Sequence, residues 1–287
     1  TENQIYDNAK NFVATIAVDD VDLDGSQLSA SVAIRNKVGH KFPSGVGFRR
    51  SFVTFEVLDE DGKILWASGR TDNVGRLIDQ KGEPVAGEVW WGPSCKVPED
   101  RASRAHQPHF QTVSAQNQVQ IYQELVSTPP DRADVTCGHD AKAEGELTTS
   151  FLSICAEVKD NRLLPEGYLP LEERKEISRA LGAGDDLAED AGSTAIGNDP
   201  DYRDGGGDTL KYVVDRAEIA GTPASVRARL YYQATPPFYL QDRFCTATGP
   251  DAARLYYLAG HLDLLDTPAE GWKLLIADSG KVGLQAN

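Results

Sequence analysis

Apolar and polar residues alternate along most of this chain with the period of a strand. The segments 27–36 (QLSASVAIRN), 50–59 (RSFVTFEVLD) and 62–69 (GKILWASG) either switch character residue by residue or are enriched in β-branched and aromatic types. Asp-Gly pairs at 24–25 and 61–62 supply turns between the runs, so this part reads as an antiparallel meander. Further strands are predicted at 118–126, 146–158, 208–215, 225–234 and 272–277. Ile5, Ala9, Phe12 and Ile16 stand at helical spacing and predict an N-terminal helix over 3–16; helical patterns return at 170–184 and 251–265. The number and spacing of strands predict a mainly β protein, an antiparallel β-sandwich (Ig-like) with a few peripheral helices, in one domain over 1–287. Residues 183–208, rich in Gly, Asp and Ala, read as a long loop.

Charge narrows the partners. Twenty-nine basic residues against 44 acidic ones leave a net charge of -15, a surface field that repels nucleic acid and anionic lipid. No window approaches the roughly 18 uninterrupted apolar residues of a membrane helix, so no membrane insertion is expected. The opening at Thr1, without Met or a leader, reads as a processed or excised piece. Cys95, Cys137, Cys155 and Cys245 are widely spaced and form no C-x-x-C pair, which argues against zinc ribbons and thioredoxin-type chemistry. An even count suits two disulfides in an oxidising compartment, with three pairings open.

Candidate chemistry lies in a few places. In DPDYRDGGGD, Asp199, Asp201, Asp204 and Asp208 surround three glycines, so a tight turn can aim several oxygens at one point, as calcium requires. The plainer reading is a solvated acidic turn. DDVDLDGS at 19–26 imitates the start of a calcium loop, but its twelfth position from Asp20 is Ser31, and a hairpin turn is expected. His106 and His109, in AHQPHF, join His40 as candidate ligands for copper or zinc, against the plainer reading of turn histidines with ordinary hydrogen bonds. His139 stands apart, and His261, among leucines, reads as a packing residue. Trp90 and Trp91 together offer a stacking surface for a sugar, or a buried aromatic pair.

No G-x-S-x-G elbow, P-loop, G-x-G-x-x-G or H-E-x-x-H occurs, so no enzymatic signature points to a reaction. The absence of C-x-x-C-H means that these residues offer no site for covalent c-type haem. In NKVGHKFPSG, Gly39, Gly45 and Pro43 build a shaped turn that holds His40 at a set angle. Arg49 and Arg50 then open a strand on opposite faces, so one turns inward to a carboxylate while the other stays wet.

Several long strings, in order, carry a resemblance: NKVGHKFPSGVGFRRSFVTFEVLDEDGKILWASGRT, QPHFQTVSAQNQVQIYQEL, VKDNRLLPEGY, DPDYRDGGGDTLKYVV and LYYQATPPFYLQDRF. Together they resemble the haem-free, C-terminal β-rich region of large multihaem c-type cytochromes. The resemblance implies a bacterial periplasmic or cell-surface setting, a multihaem cytochrome or other haem-bearing segment as partner, and His40 and His109 as contacts for that partner's haem. The cysteine-bearing stretches WGPSCKVPED and DRADVTCGHD look additional to the family pattern. Three functions follow as expectations: a non-catalytic structural or docking module, calcium-stabilised at 199–208; a copper-binding surface protein; or a carbohydrate-binding module.

Overall fold

The alternation seen in the sequence becomes two facing sheets in the computed structural model, which describes residues 2–96, 105–138 and 141–284. Helix α1 (Glu2–Phe12) leads into β1 (Ala14–Leu23) and β2 (Gln27–Asn36), an antiparallel hairpin whose turn is closed by Asp24 Oδ1 accepting the Ser26 and Gln27 amides. Then follow β3 (Arg50–Leu58), β4 (Ile64–Ser68), the small hairpin β5 (Arg70–Thr71) and β6 (Leu77–Ile78), and β7 (Thr112–Val113). Strands β8 (Ile121–Ser127), β9 (Leu147–Thr148) and β10 (Ala156–Asp160) precede helices α2 (Leu171–Ala180), α3 (Asp185–Asp190) and α4 (Pro200–Arg203). The chain closes with β11 (Gly207–Asp215), β12 (Ser225–Gln233), helices α5 (Pro237–Thr246) and α6 (Pro250–His261), β13 (Leu274–Asp278) and β14 (Val282–Gly283).

One sheet has the order β1-β2-β11-β7, and the other β10-β8-β3-β12-β13, with β4 on β3, β9 on β8 and β14 on β12. Every pairing is antiparallel except β11 with β7. Ile16, Val18, Leu28, Val32, Ile34, Leu210 and Val214 of the first sheet pack against Val53, Phe55, Val57, Val226 and Leu230 of the second. That is a β-sandwich core, and its apolar burial is the main favourable term in folding.

Strand β3 is buried at every position, because its outer face is covered too. Phe52 packs there with Leu77, Val85, Ile121 and Tyr231. On the same outer face Arg50 is 1 % exposed and forms a fork to the buried Glu88, Nη2 lying 2.9 Å from Oε2. Its Nε donates to Gln233 Oε1 at 2.7 Å. The carboxylate-paired arginine is therefore Arg50, buried on the covered outer face rather than between the sheets, while Arg49 is half-buried near the Ser44 carbonyl and Tyr232.

Some expected boundaries move for tertiary reasons. The helical pattern at the N-terminus stops at Phe12, since Ala14, Ile16 and Val18 instead face the core as β1, with Ile16 opposite Ile34 and Val18 opposite Val32. The run at 146–158 is divided into β9, a 3-10 turn at Phe151–Ser153, and β10. The stretch 183–208 carries α3 and α4, and α5 was not anticipated because Pro236-Pro237 reads as a breaker. Proline at the first turn costs a helix nothing, as its N–H would have no partner there.

The cysteines pair as Cys95–Cys245 and Cys137–Cys155. The first ties the segment after Trp91 to α5 across a sequence separation of 150. Replacement of Glu88 by Ala leaves the Arg50 charge buried without its partner, and is expected to cost about 3–5 kcal/mol of stability. Urea unfolding followed by circular dichroism checks it: an unchanged midpoint would mean that Arg50 is held by something else.

Candidate functional site

The DPDYRDGGGD turn is shaped by what surrounds it. Asp199 caps α4, its Oδ1 accepting the Tyr202 amide at 3.3 Å. Gly205 and Gly206 take φ of +74° and +80°, closed to most side chains, and a Cβ on Gly207 would stand 2.1 Å from the Ile34 carbonyl oxygen. The three glycines thus let the chain turn hard against β2 and enter β11 with Asp208 pointing between the sheets. There it is 1 % exposed.

His109 arrives from the other direction, on the extended segment 105–110. That segment is gripped by Lys159, a fully buried side chain whose Nζ donates to the carbonyls of Gln107 (2.9 Å), Ile121 (3.0 Å) and Pro108 (3.4 Å). Burial pushes the Lys159 pKa down to about 7, with Asp160 opposing. Three acceptors match the three N–H groups of an ammonium and not the two of a neutral amine, which holds the proton in place.

Around His109 the hydrogen bonds leave one arrangement. Asn161 Oδ1 accepts the Gln123 amide at 3.0 Å, so its Nδ2 faces the Ile121 carbonyl (2.9 Å) and His109 Nδ1 (3.1 Å). Gln120 Oε1 accepts the Phe110 amide at 2.8 Å, so its Nε2 faces His109 Nδ1 (2.9 Å) and Asp208 Oδ2 (3.2 Å). Two backbone N–H groups therefore orient two amides, and both amides donate to Nδ1. The proton of a neutral imidazole must then sit on Nε2, which donates to Asp199 Oδ2 at 3.1 Å. Tyr202 closes the site with its ring centroid 5.0 Å from that of the imidazole, the planes inclined at 65°, and its hydroxyl donating to the Arg162 carbonyl.

The electrostatics follow from burial. It lowers the His109 pKa, and Asp199 opposes it. Asp208 is pushed up to about 7 by burial, despite the Tyr122 hydroxyl donating to Oδ2 at 2.7 Å, and with Asp199 and Asp201 adding repulsion. Its Oδ1 is buried without a hydrogen-bond partner. Burial also pulls Asp199 upward, but contacts with Asp201, His109 and the Tyr202 amide prevail and its pKa falls; Asp201 is raised by burial and by Asp199.

His109, Asp199 and Asp208 present ligand atoms within 4.8 Å of one another, drawn from both of the sets predicted from sequence. They do not fit a cation bound through His109. Ligation through Nε2 would move the ring proton to Nδ1, against two N–H donors that backbone amides hold in place. Asp204 is exposed and ends α4. A second carboxylate group, Glu124, Glu157 and Asp160, already holds cations of its own. Arg162 forks onto Asp160 at 2.9 and 2.6 Å and reaches Glu124 at 3.3 Å, while Lys41 meets Asp160 at 2.7 Å.

The remaining candidates are scattered. The His40 ring is exposed, with Nδ1 2.9 Å from the Lys41 carbonyl oxygen, so the side chain that its turn delivers inward is Lys41. His106 lies beside Gly87, away from His109. His139 falls outside the described residues. His261 is exposed on α6 and stacks on Tyr257 at 3.9 Å. Trp90 is 6 % exposed against Phe238, and Trp91 donates Nε1–H to Asp242 at 3.0 Å, so the pair offers no paired stacking surface. Sequence reasoning missed Gln120, Tyr122, Lys159 and Asn161. The available signal was KDN at 159–161, three polar residues at a strand end, all buried.

No family model matches the chain, and no curated protein matches it. Among solved structures, a penta-heme cytochrome c552 from Thermochromatium tepidum is similar at 14 % identity and a TM-score of 0.35, over 94 % of this chain and 39 % of that one. The chain thus spans about two fifths of that protein's length. Among the described residues no helix is long and apolar enough to cross a membrane.

Two outcomes are expected. In 15N-histidine NMR at neutral pH, His109 shows the neutral Nε2–H form and keeps that proton when zinc or copper is added; a Nδ1–H signal would overturn the assignment. Asp208, with its folded pKa near 7 against 3.8 ordinarily, binds its proton more tightly in the folded state. Its contribution to stability is complete below about pH 3.8 and is lost as pH rises toward 7. The melting temperature of wild type relative to Asp208→Asn should therefore fall across that window. A constant difference would place the Asp208 pKa near its ordinary value.

Proposed function

We propose that this chain is a non-catalytic structural and docking module of a secreted electron-transfer system, with haem carried by a partner polypeptide or a neighbouring segment. The setting comes from the motif resemblance, and two disulfides fit an oxidising compartment. The observation that carries a docking role is α6. None of its residues is buried, yet Leu255, Tyr256, Tyr257 and Leu258 are exposed on it, and Leu262 and Leu265 continue the apolar surface beyond its end. In a chain of net charge -15, this concentration of exposed apolar side chains supports a surface that another polypeptide covers. The His109 centre supports the same reading, since its imidazole and both carboxylates are closed to solvent and no substrate reaches them.

The purified chain is expected to be colourless, without a Soret band, and to recover a haem-staining c-type cytochrome from a periplasmic extract of the same cells. Leu255→Asp with Leu258→Asp should weaken that recovery about tenfold and leave the circular dichroism spectrum unchanged. Recovery of no haem protein would defeat the proposal.

A further inference from the structure

The loop that follows the His40 turn has a second use, separate from the docking face. Residues 45–48, GVGF, form one wall of a pocket of about 350 Å3 whose base is Trp90 and Phe238, stacked at 4.7 Å. Phe151 and Ile154, 59 % and 45 % exposed, stand at the opposite rim. This volume lies at the small end of the roughly 300–1,000 Å3 of ligand sites, and a mostly apolar lining with few polar groups is their usual character.

Rigidity on both sides makes the pocket a preformed one. Phe48 is stacked on Tyr239 at 3.7 Å, and the Arg50 guanidinium backs Phe238 at 5.4 Å. Gly47 lies close to the carboxylate: a Cβ on it would stand 2.8 Å from Glu124 Oε2. The glycine therefore brings bare backbone up to the one carboxylate that lines the pocket.

Charge selects the ligand. Glu124 belongs to a group of three carboxylates, with Glu157 and Asp160, that faces the cations Lys41 and Arg162, with the buried Lys159 also acting on Asp160; of these groups Glu124 is the one that lines the pocket. The adjoining depression shares Glu124, Val126 and Ile154 and is lined further by Glu157, Asp190 and Glu189, the last paired with Lys175. An apolar base beside the Glu124 carboxylate suits a molecule that is apolar at one end and cationic at the other. We propose that this pocket binds a small amine bearing one apolar ring, with the ring on Trp90 and Phe238 and the ammonium at Glu124.

Calorimetric titration of the whole chain with 2-phenylethylamine, 2-phenylethanol and phenylacetate tests this. The amine is expected to bind saturably and about tenfold more tightly than the acid, with the alcohol between them. Glu124→Gln should bring the amine to the affinity of the alcohol, whose own binding changes less than about twofold. Phe151→Ala, at an exposed rim position that leaves the core intact, should weaken all three. Absence of saturable amine binding, equal binding of the acid, or an amine preference that survives Glu124→Gln would each overturn the proposal. None of these outcomes touches the docking role of α6, which lies outside the pocket.

Discussion

A buried polar group must find a partner, and at Lys159 that requirement sets the geometry of one whole end of the sandwich. The ammonium meets no carboxylate; its three N–H groups go to backbone carbonyls of the 105–110 segment and of β8. Those carbonyls are thereby fixed, and with them the point at which His109 enters. Loss of the ammonium would strand three acceptors in a place without water, which costs more than the hydrogen bonds themselves are worth. The stability of the segment and the orientation of the imidazole are thus one problem.

From that grip the polarity of the network propagates in one direction. Backbone amides of Gln123 and Phe110 orient Asn161 and Gln120; these orient His109; His109 donates to Asp199, which also caps α4. Each link is a donor meeting an acceptor, so reversal of one link requires reversal of all those before it. This is why the closeness of three potential ligand atoms does not by itself make the His109 imidazole available to a metal. Proximity of ligand atoms is a weaker criterion than the availability of a lone pair.

Much of the fold was legible because sandwich strands carry their burial in the alternation of their residues. Strand β2 coincides with the run at 27–36, and β11 and β12 depart from theirs by a residue or two. The N-terminal helix was over-extended because Ile5, Ala9, Phe12 and Ile16 fit a helical period, whereas Ile16 finds its partner in Ile34 through β pairing that local spacing does not encode. In the site, His109, Asp199 and Asp208 were singled out, but as members of separate constellations 90 residues apart in the chain. Their meeting depends on β11 lying between β2 and β7. The amides that decide the histidine's chemistry were invisible for a simpler reason: glutamine and asparagine carry no signature until a backbone donor orients them.

The same contrast separates the two ends of the molecule. Around Lys159 and His109 every element is tied by buried hydrogen bonds, and a cleft or moving part there would leave polar groups without partners. Helix α5 is seated by the buried Phe238, by Asp242 and by the Cys95–Cys245 disulfide, whereas α6 has no buried residue and meets α5 through the Phe244–Tyr256 ring contact at 5.1 Å. Burial of the apolar side chains of α6 is worth little to the isolated fold, since most of their surface stays in water, and worth more once a partner removes it. A body tied in this way, carrying exposed apolar side chains on α6, fits the docking role proposed above: the body fixes the position of the helix, and burial of its apolar surface would supply the driving force for association.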